Sequence, residues 1–457
     1  MKAKTGSPRV NGLAGRQLQE GIFSGQGETP PRFFTLVLLS ATEGAKAADV
    51  GDVLAELWTR YQDLKEAKVA DLEGAPPVPG RDAVELGGDL KVMLGLGRSA
   101  FALAQRPAGA ASLPVAMNQA FEGPAADGGG PITPNSGIRY ENDVTENPGD
   151  AAIALQFTAT TPLAVERAAV ETWKLLWDDA KNRNGPSPLA LEAVYSGTAR
   201  DDGRSWIDFH DGLSNLAQSE RPVVIEIPQT TPAAQAPSWA PPAQDEWTCG
   251  GAYLAFIRLY IDLAVWRALS TARQEALVGR EKLSGLPLID VGQPFPPNPA
   301  DGGQPPHEAD PAQLTEDVQL SPAIRRSHIQ RANHHNKFPQ GGPPSPGNPQ
   351  NHRIYRQGYP FFEPQGTPPG FRVGLNFVSF QSTPASLIQL LEAQNWLRGI
   401  NFGGDPAIPG DEPVVLISAR AAGVFLVPPI EDPPPAGAAE RFPGDRALTG
   451  APIPGAR

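Results

Sequence analysis

The stretch Ile153-Ala-Leu-Gln-Phe157, followed by Thr161-Pro162, a long helical segment and Leu189-Ala-Leu-Glu-Ala-Val-Tyr195, decides the fold class. Its first five residues alternate as a strand does. Thr161 and Pro162 then give a helix start, with a capping residue followed by a proline whose fixed φ suits the first turn. The predicted apolar stripe of that helix is Val165, Ala169, Val170, Trp173, Leu176 and Trp177, and Leu189–Tyr195 reads as the returning strand.

The same order precedes it. Phe33–Leu39 is predicted as a strand, Val50, Val53, Leu54, Leu57, Trp58 and Tyr61 as a helical stripe, and Leu90–Leu96 as a second strand. The tryptophans Trp58, Trp173 and Trp177 all lie on apolar stripes and are expected in the core. Further on, Tyr253–Tyr260 reads as a strand running into a helix through Trp266 and Leu269. Thr271 and Gln274 have capping-box spacing for another helical turn, which Gly279 would end. Phe371–Phe380 is a strand, Pro384–Leu397 a helix, and Val414–Ser418 and Val424–Val427 late strands. Strand–helix–strand units doubled in this way predict an α+β fold of two ferredoxin-like lobes, with antiparallel sheets and peripheral helices, of the dimeric α+β barrel kind. A doubly wound parallel sheet ranks lower, because no Gly-rich strand–turn–helix phosphate loop is present. The reading divides the chain into lobes at 1–220 and 221–430 and a Pro/Gly-rich tail at 431–457 with little packed structure.

With 457 residues and 40% hydrophobic residues, the chain is long enough for a sizeable core. Its 48 glycines and 51 prolines stay below the roughly 25–30% that marks a low-complexity chain. The excess points instead to long loops, such as Pro228–Pro242, Pro294–Pro311 and Pro339–Pro349. A net charge of −12 without a basic cluster argues against nucleic-acid partners and anionic membranes. The lone Cys249 suits a reducing cytosol, the N-terminal residues lack the apolar run of a secretory signal, and no spanning segment is found, so a cytoplasmic location is expected.

Six histidines, His210, His307, His328, His334, His335 and His352, invite a zinc reading. Structural zinc sites usually add cysteines, and Cys249 is far away in sequence, so zinc ranks low.

Two neighbourhoods carry a different meaning. Asp208-Phe-His-Asp211-Gly212 is similar to the Gly-x-x-Asp-Gly motif of the dye-decolourising (DyP-type) haem peroxidases, with Asp208 in place of the first glycine. Arg325-Arg-Ser-His328-Ile-Gln-Arg331-Ala-Asn333 resembles that family's segment around the proximal haem histidine, with His334 and His335 in place of the usual Pro-Arg. Val92–Phe101, Gly250–Arg258, Gly279–Pro287, Arg353–Tyr359 and Gly374–Gln381 resemble further family segments in the family's order. Together these matches span roughly residues 20–400.

The resemblance implies haem b bound mainly by the C-terminal lobe. It implies His328 as the iron ligand, Asp211 as the proton-transfer group and Arg356 as the cation that stabilises the departing oxygen. Arg325 and Arg331, with Arg326 beside them, are expected to pair with haem propionates. The implied reaction is reduction of hydrogen peroxide with one-electron oxidation of an aromatic donor, a dye or a phenol. A non-catalytic haem carrier or sensor, or a cargo protein, on the same fold is the alternative. A homo-oligomer is compatible with this reading. His334, His335 and His352 are read as ordinary loop histidines.

Overall fold

The computed structural model describes residues 15–24, 30–69, 89–117, 151–213, 216, 221–228, 241–294, 320–332, 354–366, 369–391, 402–412, 414–431 and 440–450. His307, His334, His335, His352 and Trp396, and most of the Pro-rich stretches, lie outside them.

The N-terminal lobe runs β1 (Phe33–Ala41), α1 (Ala47–Lys65), β2 (Lys91–Leu96), β3 (Ile153–Ala159), α2 (Pro162–Arg183) and β4 (Leu189–Thr198). The C-terminal lobe runs β5 (Ala252–Ile261), α3 (Leu263–Ala268), α4 (Thr271–Val278), α5 (Pro322–Arg325), α6 (His328–Ala332), β6 (Tyr355–Pro364), β7 (Phe371–Gln381), α7 (Pro384–Leu391) and β8 (Ile417–Val427). A last short helix, α8, spans Asp445–Thr449. One eight-stranded sheet has the order β4-β1-β3-β2-β8-β5-β7-β6, and every ladder in it is antiparallel. Each lobe supplies four neighbouring strands in the ferredoxin-like order, and β2 and β8 join the halves.

Successive side chains of a strand point to opposite faces, and β1 shows what each face does. Phe34, Leu36 and Leu38 enter an inner core shared with Leu254 and Phe256 of β5, Tyr355 and Tyr359 of β6 and Phe425 of β8. Val37 and Leu39 turn the other way, onto α1 and α2. Phe34 stacks on Tyr359 at 4.5 Å and Tyr195 on Phe256 at 5.1 Å, so rings from the two lobes meet inside the curled sheet. At its seam the Asn376 Nδ2 donates to Ser196 O at 2.9 Å. Phe256→Ala is expected to cost roughly 3–5 kcal/mol of stability, because Phe256 is 0% exposed and its loss leaves a cavity between the lobes. Denaturant unfolding measures this, and a loss under about 1 kcal/mol would contradict a shared packed core.

Several local expectations are met. The predicted α1 stripe is buried, and Trp58 packs against that core. Thr161 and Pro162 open α2, with Thr161 at the cap position but its hydroxyl making no capping hydrogen bond, and Gly279 ends α4 at φ +90°. Others are corrected. The cap of α4 is Ser270, whose Oγ accepts from Arg273 N, not Thr271. The two late strands are one, β8, irregular between Ala419 and Ala421. Strand β6 had no counterpart in the sequence reading.

On α2 the buried face is Ala164, Val165, Ala168, Glu171, Thr172, Leu175 and Leu176. Trp173 and Trp177 are 50% and 59% exposed, so they are not core residues. The chain beyond 431 also differs from expectation. Phe442, Ala447 and Leu448 are buried, and Arg441 ties α8 to Asp52 of α1.

Candidate functional site

Asp211 lies in the loop that follows β4. Arg204 and His210 form a bridge, Asp211 N donates to Gly203 O at 2.9 Å, and Asp208 N donates to Ser205 O at 3.0 Å. This tight turn needs a left-handed residue at 208, and Asp208 takes φ +66°. Aspartate is among the few residues that tolerate this region at modest cost. The backbone is thus one that a glycine would adopt, and the carboxylate sits 3.8 Å from Lys282 and 4.0 Å from Arg200.

The loop belongs to the N-terminal half in sequence but packs on the C-terminal half. Ile207 and Phe209 enter the outer core of the C-terminal lobe, where Phe209 meets Trp266 edge-on at 6.0 Å. Arg204 donates to the carbonyls of Lys282 at 2.7 Å and Leu283 at 2.8 Å. Its Nη2 also donates to His210 Nε2 at 2.8 Å. Since an arginine only donates, that ring nitrogen is the acceptor, which assigns the proton of neutral His210 to Nδ1.

Arg356 is on β6, opposite Ser379 of β7. Tyr355 and Tyr359 face the inner core, so Arg356 and Gly358 face outward, toward the Asp211 loop. Arg356 Nη1 pairs directly with Asp211 Oδ1. A Cβ at Gly358 would stand 2.4 Å from Asp211 Oδ2 and 3.1 Å from Leu375 Cδ1. The carboxylate is therefore fixed at one oxygen by a cation, while the other occupies space that only a glycine leaves. Burial alone would raise the Asp211 carboxyl. The Arg356 charge and hydrogen bond, the Gly212 N–H and the charge of His328 outweigh it and hold the carboxyl below its usual range. Nearby, burial and then the charge of Arg356 push the Arg280 guanidinium down to about 10.

His328 opens α6, and its ring stacks on Phe402 at 4.8 Å with 20° between the planes. The segment after Phe402 holds the helix. Gly403 adopts φ +137°, and a Cβ there would come 2.8 Å from Leu277 O and 3.4 Å from His328 N. Asp411 accepts from Arg326 Nε and from Arg273 Nη1, both at 2.7 Å. Arg331 donates Nε to Arg326 O at 2.8 Å and Nη2 to Gly404 O at 2.7 Å. Arg325 is exposed and gives Nε to Leu320 O at 3.0 Å.

The structure thus joins Asp211 and Arg356 directly and brings His328 close enough for its charge to act on Asp211. The sequence reading named Gly358, Arg280 and Trp266 only as members of longer segments and passed over Phe402, Gly403 and Asp411. A proton-accepting carboxylate, a fixed cation and an imidazole around one region suit acid–base chemistry at a ligand's oxygen atoms. Among the described residues, no group of three or more His, Cys, Asp or Glu is placed to hold a metal ion.

The family model for the C-terminal part of Dyp-type peroxidases matches residues 202–432, just over half of the chain and all three of these residues. The chain belongs to the DyP-type peroxidase family. It is thus a haem-dependent peroxidase by family. Solved structures of this DyP-type fold agree. The chain is similar to the DyP-type peroxidase from Cellulomonas bogoriensis, with 19% identity and a TM-score of 0.59 over 96% of this chain and 97% of that one. It is similar to ferric DtpA from Streptomyces lividans, with 18% identity and a TM-score of 0.56 over 98% of each chain. It is also similar to a variant of DypB from Rhodococcus jostii RHA1 in complex with heme, with 17% identity and a TM-score of 0.51 over 90% of this chain and 96% of that one. At these identities the likeness shows the fold. The lobes of this DyP-type peroxidase are accordingly ferredoxin-like, as their strand order requires.

Proposed function

We propose that this chain reduces hydrogen peroxide to water and takes the two electrons singly from an aromatic donor such as a phenol or a dye. The observation that carries the reading is the Asp211 carboxylate locked to Arg356, with His328 near enough for its charge to act on that carboxylate. We further propose that the lobes divide near residue 220 and that the protein works in the cytosol, which the single buried Cys249 supports. Among the described residues, no helix is long and apolar enough to cross a membrane.

The residues present fit haem b. His328 offers a nitrogen ligand whose ring is already oriented by Phe402, and the buried Nδ1 is its second nitrogen. Arg325 and Arg331 offer cations to the propionates, although Arg331 already spends two donor groups on backbone carbonyls. When bound, haem supplies an iron centre that takes up the two oxidising equivalents of the peroxide. Asp211 Oδ2 takes the proton from one peroxide oxygen and delivers it to the other, which leaves as water. Arg356 meanwhile holds Asp211 ionised and neutralises charge at the departing oxygen. The balance is one peroxide, two protons and two electrons to two waters.

One absorbance spectrum of protein expressed with haem in excess, before and after peroxide, tests the reading. It predicts a Soret band that shifts with peroxide and returns with donor, whereas a missing band would overturn it.

Gly358→Ala is a finer test. Its methyl group displaces Asp211 Oδ2, and a misplacement of about 1 Å costs roughly a hundredfold in rate. Stopped-flow mixing should show that loss with haem content unchanged, whereas a wild-type rate would show that the position of Oδ2 is immaterial.

A further inference from the structure

Helix α2 is apolar on two sides. One side carries the lobe's core, and the other presents Leu163, Val170, Trp173 and Trp177 at 42%, 48%, 50% and 59% exposure. The spacings 7, 3 and 4 put these four on one stripe. The two indoles stack on each other at 5.5 Å and 27°, forming a preassembled aromatic plate. Soluble proteins scatter single apolar residues over the surface, but a contiguous stripe with two tryptophans marks an interaction site. Exposed charges of opposite sign flank its Val170–Trp177 portion, Glu166 toward the N-terminal end and Lys181 at the C-terminal end.

That charge order selects the partner. Laid antiparallel against a copy of itself, with the two-fold axis between Trp173 and Lys174, the helix puts Glu166 opposite Lys181 of the second copy. Val170 then faces Trp177 of that copy, and both contacts occur twice. The helix dipoles also run opposite ways in this arrangement. A parallel pairing would instead set Glu166 against Glu166 and Lys181 against Lys181. We infer that α2 is a self-association surface, through which two copies of this chain pair antiparallel with the Trp173–Trp177 plates buried at the centre.

The surface is small. From Leu163 to Lys181 the helix rises about 27 Å, and one helix face of that length falls short of the roughly 800 Å² per partner of a standard interface. The dimer therefore belongs with the small, transient interfaces.

Sedimentation of the full haem-loaded chain from about 1 to 200 μM tests this. The expected result is a monomer–dimer equilibrium that Trp177→Glu weakens at least about a hundredfold, since each dimer loses two buried indoles. Melting temperature and haem absorbance should stay at wild-type values, because the residue is exposed and far in sequence from the site. Lys181→Glu alone should weaken the dimer by roughly ten times, and Glu166→Lys combined with Lys181→Glu should restore it. A monomer at every concentration, or a dimer indifferent to Trp177→Glu, overturns the inference. A double variant that remains as weak as Lys181→Glu rules out the antiparallel register.

Discussion

Asp211→Asn is expected to slow the reaction with hydrogen peroxide by roughly 10²–10⁴-fold while leaving the haem spectrum of the resting protein in place. The substitution keeps the size of the side chain and an oxygen that can accept from Gly212 N, now at 2.8 Å from Oδ1. It removes the proton-accepting carboxylate. Nothing about haem attachment rests on that group in the proposed arrangement, so the spectrum isolates the chemical step. Stopped-flow measurement at several peroxide concentrations reads the effect as a second-order rate. The pH dependence adds a signed expectation. The ionised carboxyl is the competent form, and Arg356 contributes most to holding its pKa down against burial. In Arg356→Leu the burial effect is left largely unopposed, so the carboxyl rises and the acid limb of the peroxide rate moves to higher pH. A limb that stays in place, or moves down, would separate Asp211 from the titration.

The second large effect is expected at His328. His328→Ala should lose haem or bind it so weakly that the Soret band disappears on gel filtration, because the only protein ligand proposed for the iron is gone. The fold should persist. Ser327 and Gln330 beside it are buried, and after the imidazole's stack on Phe402 is lost the helix remains tied to the 402–411 segment through Arg326 and Arg331. Far-ultraviolet circular dichroism together with haem content distinguishes loss of ligand from loss of structure. Retention of a full complement of haem would mean that another residue holds the iron.

The lobes were legible where one side of an element alone is apolar. The α1 stripe from Val50 to Tyr61 has a single solution, and it is the buried one. Helix α2 offered two, since Val165 and Leu176 serve the core while Val170, Trp173 and Trp177 lie on the opposite side. A periodicity of 3.6 fits both, and the bulk of tryptophan favoured the wrong one. Strand β6 was hidden for another reason. Arg356, Gln357, Gly358 and Pro360 dilute its β-propensity, and at the outward positions 356 and 358 this is because the strand serves the site and not packing. The Asp211 loop was legible as a motif, but its attachment to the C-terminal lobe rests on Arg204, Phe209 and Trp266, contacts that no local pattern encodes. The same holds for Gly358 and Gly403, whose requirement for a bare backbone comes from neighbours distant in the chain. The packing of Phe442 and Leu448 escaped notice because a Pro/Gly-rich surround masked a short buried helix.

The central claim is that Asp211 and Arg356 act as one unit on peroxide in a protein that His328 loads with haem. The second-order peroxide rate of the Asp211→Asn, Arg356→Leu double variant, measured on haem-replete protein, tests it most directly. The account predicts a rate at least about a hundredfold below wild type and close to that of Asp211→Asn alone, since partners in one unit lose their effect together. A double variant that reacts with peroxide at the wild-type rate would contradict it.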